Sequence, residues 1–175
     1  FLILFIFFFN KQKIEFNNTV LYNLVAAGVL IAAHWVSFFY AIKMVGVSPT
    51  LAMLSSGALM TAILEPVFYK RKIFLHEVLF GGITMIGMLI IFKTSPDDWL
   101  GMLVALIATV LGVFFTLING FLIKDNSSVI ITLGEMIVGL GFISIFLLFG
   151  VGFDVSFFKI NTSDFLYLII LGTIC

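Results

Sequence analysis

Long apolar runs separated by short polar breaks organise this chain. Five runs are complete, at residues 20–42, 51–69, 74–92, 99–123 and 129–153. Each approaches the roughly 20 apolar residues that a helix needs to cross a bilayer. In lipid a segment that long must satisfy its own backbone, which makes it helical. The breaks fall at 10–19, 43–50, 70–73, 93–98, 124–128 and 154–164. Connections this short make successive helices antiparallel neighbours. Two further runs, 1–9 and 165–175, are apolar but short. A helix over the first would rise only about 13 Å, against a hydrocarbon core of roughly 30 Å. It is no signal peptide either, because no basic segment precedes it and no small-residue cleavage site follows it. The pattern predicts an all-α, polytopic membrane helix bundle, cut as a fragment with five full and two truncated spans.

Composition removes the alternatives. Of 175 residues, 62% are hydrophobic and 10% charged, against about 45–50% and 25% in a soluble domain. Too few polar residues remain to cover a water-facing surface. That excludes a cytosolic enzyme, a nucleic-acid binder and a disordered linker. The bilayer is therefore the first expected partner. Nine Lys and Arg balance nine Asp and Glu, so net charge selects no acidic or basic ligand. A single cysteine, Cys175, leaves neither a disulfide framework nor a Cys-based metal site.

Charge placement gives an orientation. Alternate breaks put Lys11, Lys13, Lys70, Arg71, Lys72 and Lys124 on one side, and Lys43, Lys93 and Lys159 on the other. The positive-inside rule then makes the loop of Lys70, Arg71 and Lys72 cytoplasmic, in a cell (inner) membrane. Tyr22, Tyr40, Tyr69, Trp99 and Tyr167 fall near run ends, where amphipathic rings sit at the headgroups. Trp35 departs from that belt and lies beside His34, well inside its run.

An internal echo adds topology. Asn18-Thr19 leads into Val20-Leu21-Tyr22, and Asn161-Thr162 leads, two residues on, into Phe165-Leu166-Tyr167. Five helices separate the copies, and an odd number inserts the second upside down, as in inverted-repeat transporters.

Polar residues inside the runs are few, and they fall into stripes. Asn23, Ala27, Leu30, His34, Ser37 and Ala41 step by threes and fours, so they share a face. Ser55, Ala58, Ala62 and Glu65 form a second stripe; Ala105, Thr109, Gly112, Thr116 and Asn119 form a third. Two readings stand: the stripes face one central cavity, or they are small-residue packing seams. Packing is favoured for Gly, Ala and Thr, and the two readings balance for the polar members. His34 and Trp35 are a candidate pair for a substrate path, or a simple interhelical hydrogen bond. Glu65 lies within about 7 Å of helical rise from the basic loop, close enough to snorkel to Lys70 or Arg71. Pro66 frees the Ala62 carbonyl and is expected to kink its helix. Glu135 lies roughly 10 Å inside its run with no basic residue in that run. Thr132 and Gly139 share its face, so it is protonated, hydrogen-bonded, or open to a wet cavity. No catalytic constellation, phosphate loop or metal-ligand spacing occurs in the runs, so the chain is read as no enzyme, with no cofactor and no metal.

Residues 26–92 resemble the EamA family of the drug/metabolite transporter superfamily. The residues that carry this are Ala33 through Ala41 (AHWVSFFYA), Leu54-Ser55-Ser56, Pro66, and the helix holding Gly81 and Gly87. Lys70-Arg71-Lys72 stands where many members carry Gly-Glu-Arg, so the usual loop glutamate is missing. The resemblance implies a ten-helix carrier of two inverted five-helix repeats. Residues 1–93 would be repeat 1, lacking its first helix and most of the second. Residues 94–98 would be a linker, and 99–175 a C-terminally truncated repeat 2. It further implies a secondary transporter that exports a small metabolite, an amino acid-like compound or a drug, by alternating access, with a coupling proton or ion. His34, Trp35, Ser37, Ser55, Asn119 and Glu135 are the expected path residues. A phosphorylated-sugar or nucleotide-sugar carrier is the alternative within the superfamily, and a non-transporting scaffold the alternative outside it. Substrate, coupling and oligomeric state are not legible in the sequence.

Overall fold

The computed structural model describes residues 17–94, 98–151 and 161–174. The run 1–9, Lys11, Lys13, Lys159 and Cys175 lie outside the described residues, as do residues 95–97 and 154–160 of the breaks at 93–98 and 154–164.

Every described element is helical. Helix α1 is Asn18–Val45, α2 Val47–Ser55, α3 Gly57–Tyr69 and α4 Leu75–Thr94. Helix α5 is Trp99–Asp125, α6 Ser128–Phe146 and α7 Thr162–Ile174. A π-helical turn, Leu147–Val151, extends α6. Four stretches are long and apolar enough to cross a membrane: Asn18–Val45, Val47–Tyr69, Trp99–Lys124 and Ser128–Gly150. The fifth expected span appears as a shorter apolar stretch, Leu75–Ile91.

Local chemistry sets the boundaries. Asn17 caps α1, its Oδ1 accepting from the Val20 N–H at 2.8 Å, which satisfies one of the free donors of the first turn. The expected polar break at 43–50 shrinks to one residue, Gly46, with φ 84° and ψ 175°. Helix resumes at once because Pro49 falls in the first turn of α2, where its missing N–H costs nothing. Thr50 folds its hydroxyl back onto the Gly46 carbonyl at 2.7 Å. The span 47–69 is broken at Ser56, whose buried hydroxyl donates to the Met53 carbonyl at 2.7 Å. In lipid no water can relieve a broken turn, so side chains must. Pro66 sits buried inside α3, and Lys70 ends that helix in the left-handed region at φ 53°.

Helix α5 is the centre of the bundle. It packs along α1 and against α2 and α3, while α4 lies on α2 and α3, and α6 packs mainly on α1. The α1–α5 seam is made of small residues: Ala27, Ala41, Ala105 and Ala108 are all completely buried. Small side chains let two helix backbones come close enough for dispersion to hold them in lipid. For the stripe members Ala27, Ala41 and Ala105 the packing reading is the one observed. Outward faces are apolar, with Leu79, Phe80, Ile83, Ile86 and Ile90 of α4 exposed, as a lipid-facing surface requires.

Candidate substrate groove

Three adjoining cavities follow one face of α3, and Thr61 lines all of them. One, about 340 Å³, lies between α1, α3 and α5 and is lined by His34, Ala58, Thr61, Thr109, Gly112 and Thr116 among others. It adjoins a 360 Å³ cavity lined by Thr61, Glu65, Tyr69, Thr116, Gly120 and Lys124. The third, 450 Å³, lies between α3 and α4 beside Glu65, Arg71, Glu77 and Thr84. Together they form a groove from the interior of the bundle to the end that carries Lys70, Arg71, Lys72 and Lys124.

At its deep end His34 is pinned. Its Nδ1 lies 2.7 Å from the Ala108 carbonyl, and a neutral ring bonded there donates from that nitrogen. Gly112 makes room, since a methyl at that position would come within 3.0 Å of the His34 Nδ1. The Thr109 hydroxyl reaches the Ala105 carbonyl at 2.9 Å and the Met53 carbonyl at 3.3 Å, tying α5 to α2. Thr116 donates to the Gly112 carbonyl at 2.9 Å.

The mouth is aromatic and charged. The Tyr69 hydroxyl lies over Gly120 and donates to the Leu117 carbonyl at 2.6 Å. Lys124 Nζ sits 5.0 Å from the Tyr69 ring centroid and 5.6 Å from that of Phe121, a cation–π arrangement. Glu65 does snorkel to the loop: Arg71 Nε lies 3.3 Å from its Oε1. Arg71 also reaches Glu77 at 2.8 Å, so one guanidinium ties α3 to α4. Hydrogen bonds that it donates to Glu77 and then to Glu65 raise its pKa above the ordinary arginine value, keeping it charged.

The six expected path residues do not converge. His34 lines the groove. Trp35 and Ser37 lie instead on a separate, mostly apolar crevice of about 620 Å³ between α1 and α6, with Phe39, Tyr40, Lys43 and Phe146. Ser55 turns its hydroxyl back onto the Ala52 carbonyl at 2.6 Å, inside the break before α3. Asn119 and Glu135 meet each other across α5 and α6, Nδ2 to Oε2 at 3.5 Å, and Glu135 is only 2% exposed. Thr116, of the third stripe, lines the groove, and so do Thr61, Tyr69 and Lys124, which belong to none of the three stripes. Ala58, Thr61, Glu65 and Tyr69 step by three, four and four, so the helical spacing that marked the stripes could have found them. Among the described residues, no group of His, Cys, Asp and Glu is placed to hold a metal ion.

A polytopic bundle of apolar helices with a polar groove between them is the architecture of a membrane transport protein. The model of the EamA-like transporter family matches residues 1–93, more than half of the chain, and the chain belongs to that family. The family is one of transporters rather than enzymes, which implies a small-molecule substrate and a bilayer setting. No curated protein and no solved structure shows significant similarity to the chain.

Proposed function

We propose that the chain belongs to a secondary transporter that exports a small amino acid-like metabolite or drug by alternating access. The groove of His34, Thr61 and Thr116 is its substrate path, open at the Lys124 end. That single observation carries the reading: a groove three cavities long that sets His34, Thr61, Thr109, Thr116 and Glu65 along one path between apolar helices. The cargo class follows from the lining, which offers hydroxyls, an imidazole and the Glu65 carboxylate along the path, with Lys124 already held against Tyr69 and Phe121. Such a lining suits neutral, zwitterionic or amine-bearing cargo, since an uncompensated anion would find no cation at depth. The protein is placed in the inner membrane, with the loop of Lys70, Arg71 and Lys72 in the cytoplasm by the bias of basic residues. Residues 1–93 and 99–175 are read as inverted halves around this path.

The test blocks the residue shared by the three cavities. Cells expressing the intact protein are profiled for metabolites released to the medium, against a vector control. Thr61→Phe should lower release at least tenfold at normal membrane abundance, while Ile86→Phe, on an outward face, should leave it unchanged. Equal release from both variants would remove the groove from the path.

A further inference from the structure

The groove leaves one polar pair unused. Glu135 lies at the junction of α1, α5 and α6, where its own backbone carbonyl faces Gly28 of α1. Leu24, Ala27, Leu122 and Ile131 form a buried apolar cluster within the same three helices. Among the described residues the one hydrogen bond to its carboxyl is the 3.5 Å approach of Asn119 Nδ2 to Oε2. Two buried oxygens, Glu135 Oε1 and Asn119 Oδ1, have no hydrogen-bond partner. Both are acceptors when the carboxyl is ionised, so each is left in an apolar setting with nothing to accept from.

One proton resolves both. A proton on Oε1 removes the charge and turns that oxygen into a donor. Asn119 Oδ1 is the unsatisfied acceptor on the group that already faces the carboxyl. An acid and a carboxamide then close a ring of two hydrogen bonds, N–H to Oε2 and O–H to Oδ1. Exchanging the amide nitrogen and oxygen leads to the same demand, because Oδ1 would then face Oε2 and again require a proton between them.

Among the described residues no charged neighbour offers another solution. On α6, Ser128–Phe146, Glu135 is the sole titratable residue. On α1 the candidates are His34, held at the Ala108 carbonyl, the exposed Tyr22 and Tyr40, and Lys43 near the far end. On α5 they are Lys124, stacked on Tyr69 and Phe121, and Asp125 at the helix terminus. Tyr69 itself donates to the Leu117 carbonyl.

We propose that Glu135 and Asn119 form a proton-binding site that joins α6 to α5 when loaded. The site is neutral and fits the occluded junction while the proton is bound. Loss of the proton to water leaves a carboxylate that the junction cannot hold, so α5 and α6 must part enough to hydrate it. Built on the transport reading, this names the proton as the coupling ion. It takes the proton from water on one face and returns it to water on the other, with no other reactant.

Infrared spectra of the intact protein in lipid vesicles test the site without any substrate. The wild-type spectrum minus that of Glu135→Gln should show a protonated carboxylic C=O band at neutral pH, lost reversibly in alkali. Asn119→Ser should shift that band. The pH difference spectrum of the wild type reads the same group should a variant fail to fold. Dicyclohexylcarbodiimide, which is lipid-soluble, should modify Glu135, and a water-soluble carbodiimide should not. In flux assays Glu135→Gln should flatten the pH dependence of transport. Only carboxylate bands at neutral pH would overturn the proton site, even in a protein that transports. An acid band in a protein that moves no metabolite would instead overturn the transport reading and leave the site standing. Unchanged pH dependence in Glu135→Gln would remove the coupling role.

Discussion

At Gly28 the backbone of α1 lies directly against α6. A methyl there would meet Val138 Cβ at 2.6 Å and the Glu135 carbonyl oxygen at 3.0 Å, whereas at Gly82 it would meet nothing within 4 Å. Gly28→Ala must therefore push two helices apart, and overpacking of that kind costs about 1–3 kcal/mol. Gly82→Ala only removes backbone freedom in a helix, which gains up to about 1 kcal/mol. Thermal unfolding of the two variants in one detergent should move the midpoint in opposite directions, and a shared shift would contradict this packing. Gly28 also shows what single residues reveal in a sequence and what they do not. The isolation of Glu135 was legible, because a carboxylate far from any basic residue is costly in lipid wherever its helix turns. Its partner was not. Asn119 and Glu135 were both named, but their meeting depends on the rotation of α5 against α6, which no spacing within one helix encodes. The same limit separated His34 from Ser37. Both lie on one stripe of α1, yet α5 and α6 pack on different flanks of that helix and divide the stripe between a polar groove and an aromatic crevice.

Elements were more legible than their junctions. Four of the five apolar runs hold helical stretches long and apolar enough to cross a membrane, one of them broken at Ser56, and the fifth holds the shorter stretch Leu75–Ile91, because length and hydropathy largely decide that in a bilayer. The break at 43–50, which its polar residues mark as a loop, is helical except at Gly46. Lys43 lies in the last turn of α1 and Thr50 bonds its own backbone, so polar residues there continue helix instead of ending it. The turn rests on Gly46, whose φ of 84° with ψ of 175° is a conformation essentially reserved for glycine. Gly46→Ala should cost about 1–3 kcal/mol through backbone strain alone, since nothing lies within 4 Å of the added methyl. Chemical unfolding in mixed micelles would show it as a lower midpoint. An unaffected midpoint would mean the α1–α2 junction can take another conformation at no cost. The second break, at Ser56, went unforeseen although Ser55-Ser56-Gly57 is the kind of small polar cluster at which helices yield. Pro66 lies inside α3, which runs on to Tyr69.

The whole molecule combines a direction in its charges with a direction in its groove. Lys70, Arg71, Lys72 and Lys124 lie at the end where the groove opens, and they dominate the bias of basic residues on which the proposed cytoplasmic orientation of that end rests. The two features are independent, one set by membrane insertion and the other by how α3 packs on α5. If both hold, this conformation is open toward the cytoplasm and closed on the far side, where Ala41, Met53, Met88, Met102 and Ala105 pack into a buried cluster. Cysteines introduced into a Cys175→Ser background would read both at once with an impermeant thiol reagent. Ser48→Cys, exposed beyond the α1–α2 turn, should label in intact cells. Lys72→Cys, exposed in the basic loop, should label only in inside-out vesicles. Thr61→Cys should follow Lys72→Cys in inside-out vesicles, at a slower rate set by its depth, and excess transported metabolite should protect it. Labelling of Lys72→Cys in intact cells would reverse the assigned orientation. Labelling of Thr61→Cys from the same side as Ser48→Cys, with Lys72→Cys still cytoplasmic, would show that the resting protein opens its groove outward and that the packed cluster is the part that moves.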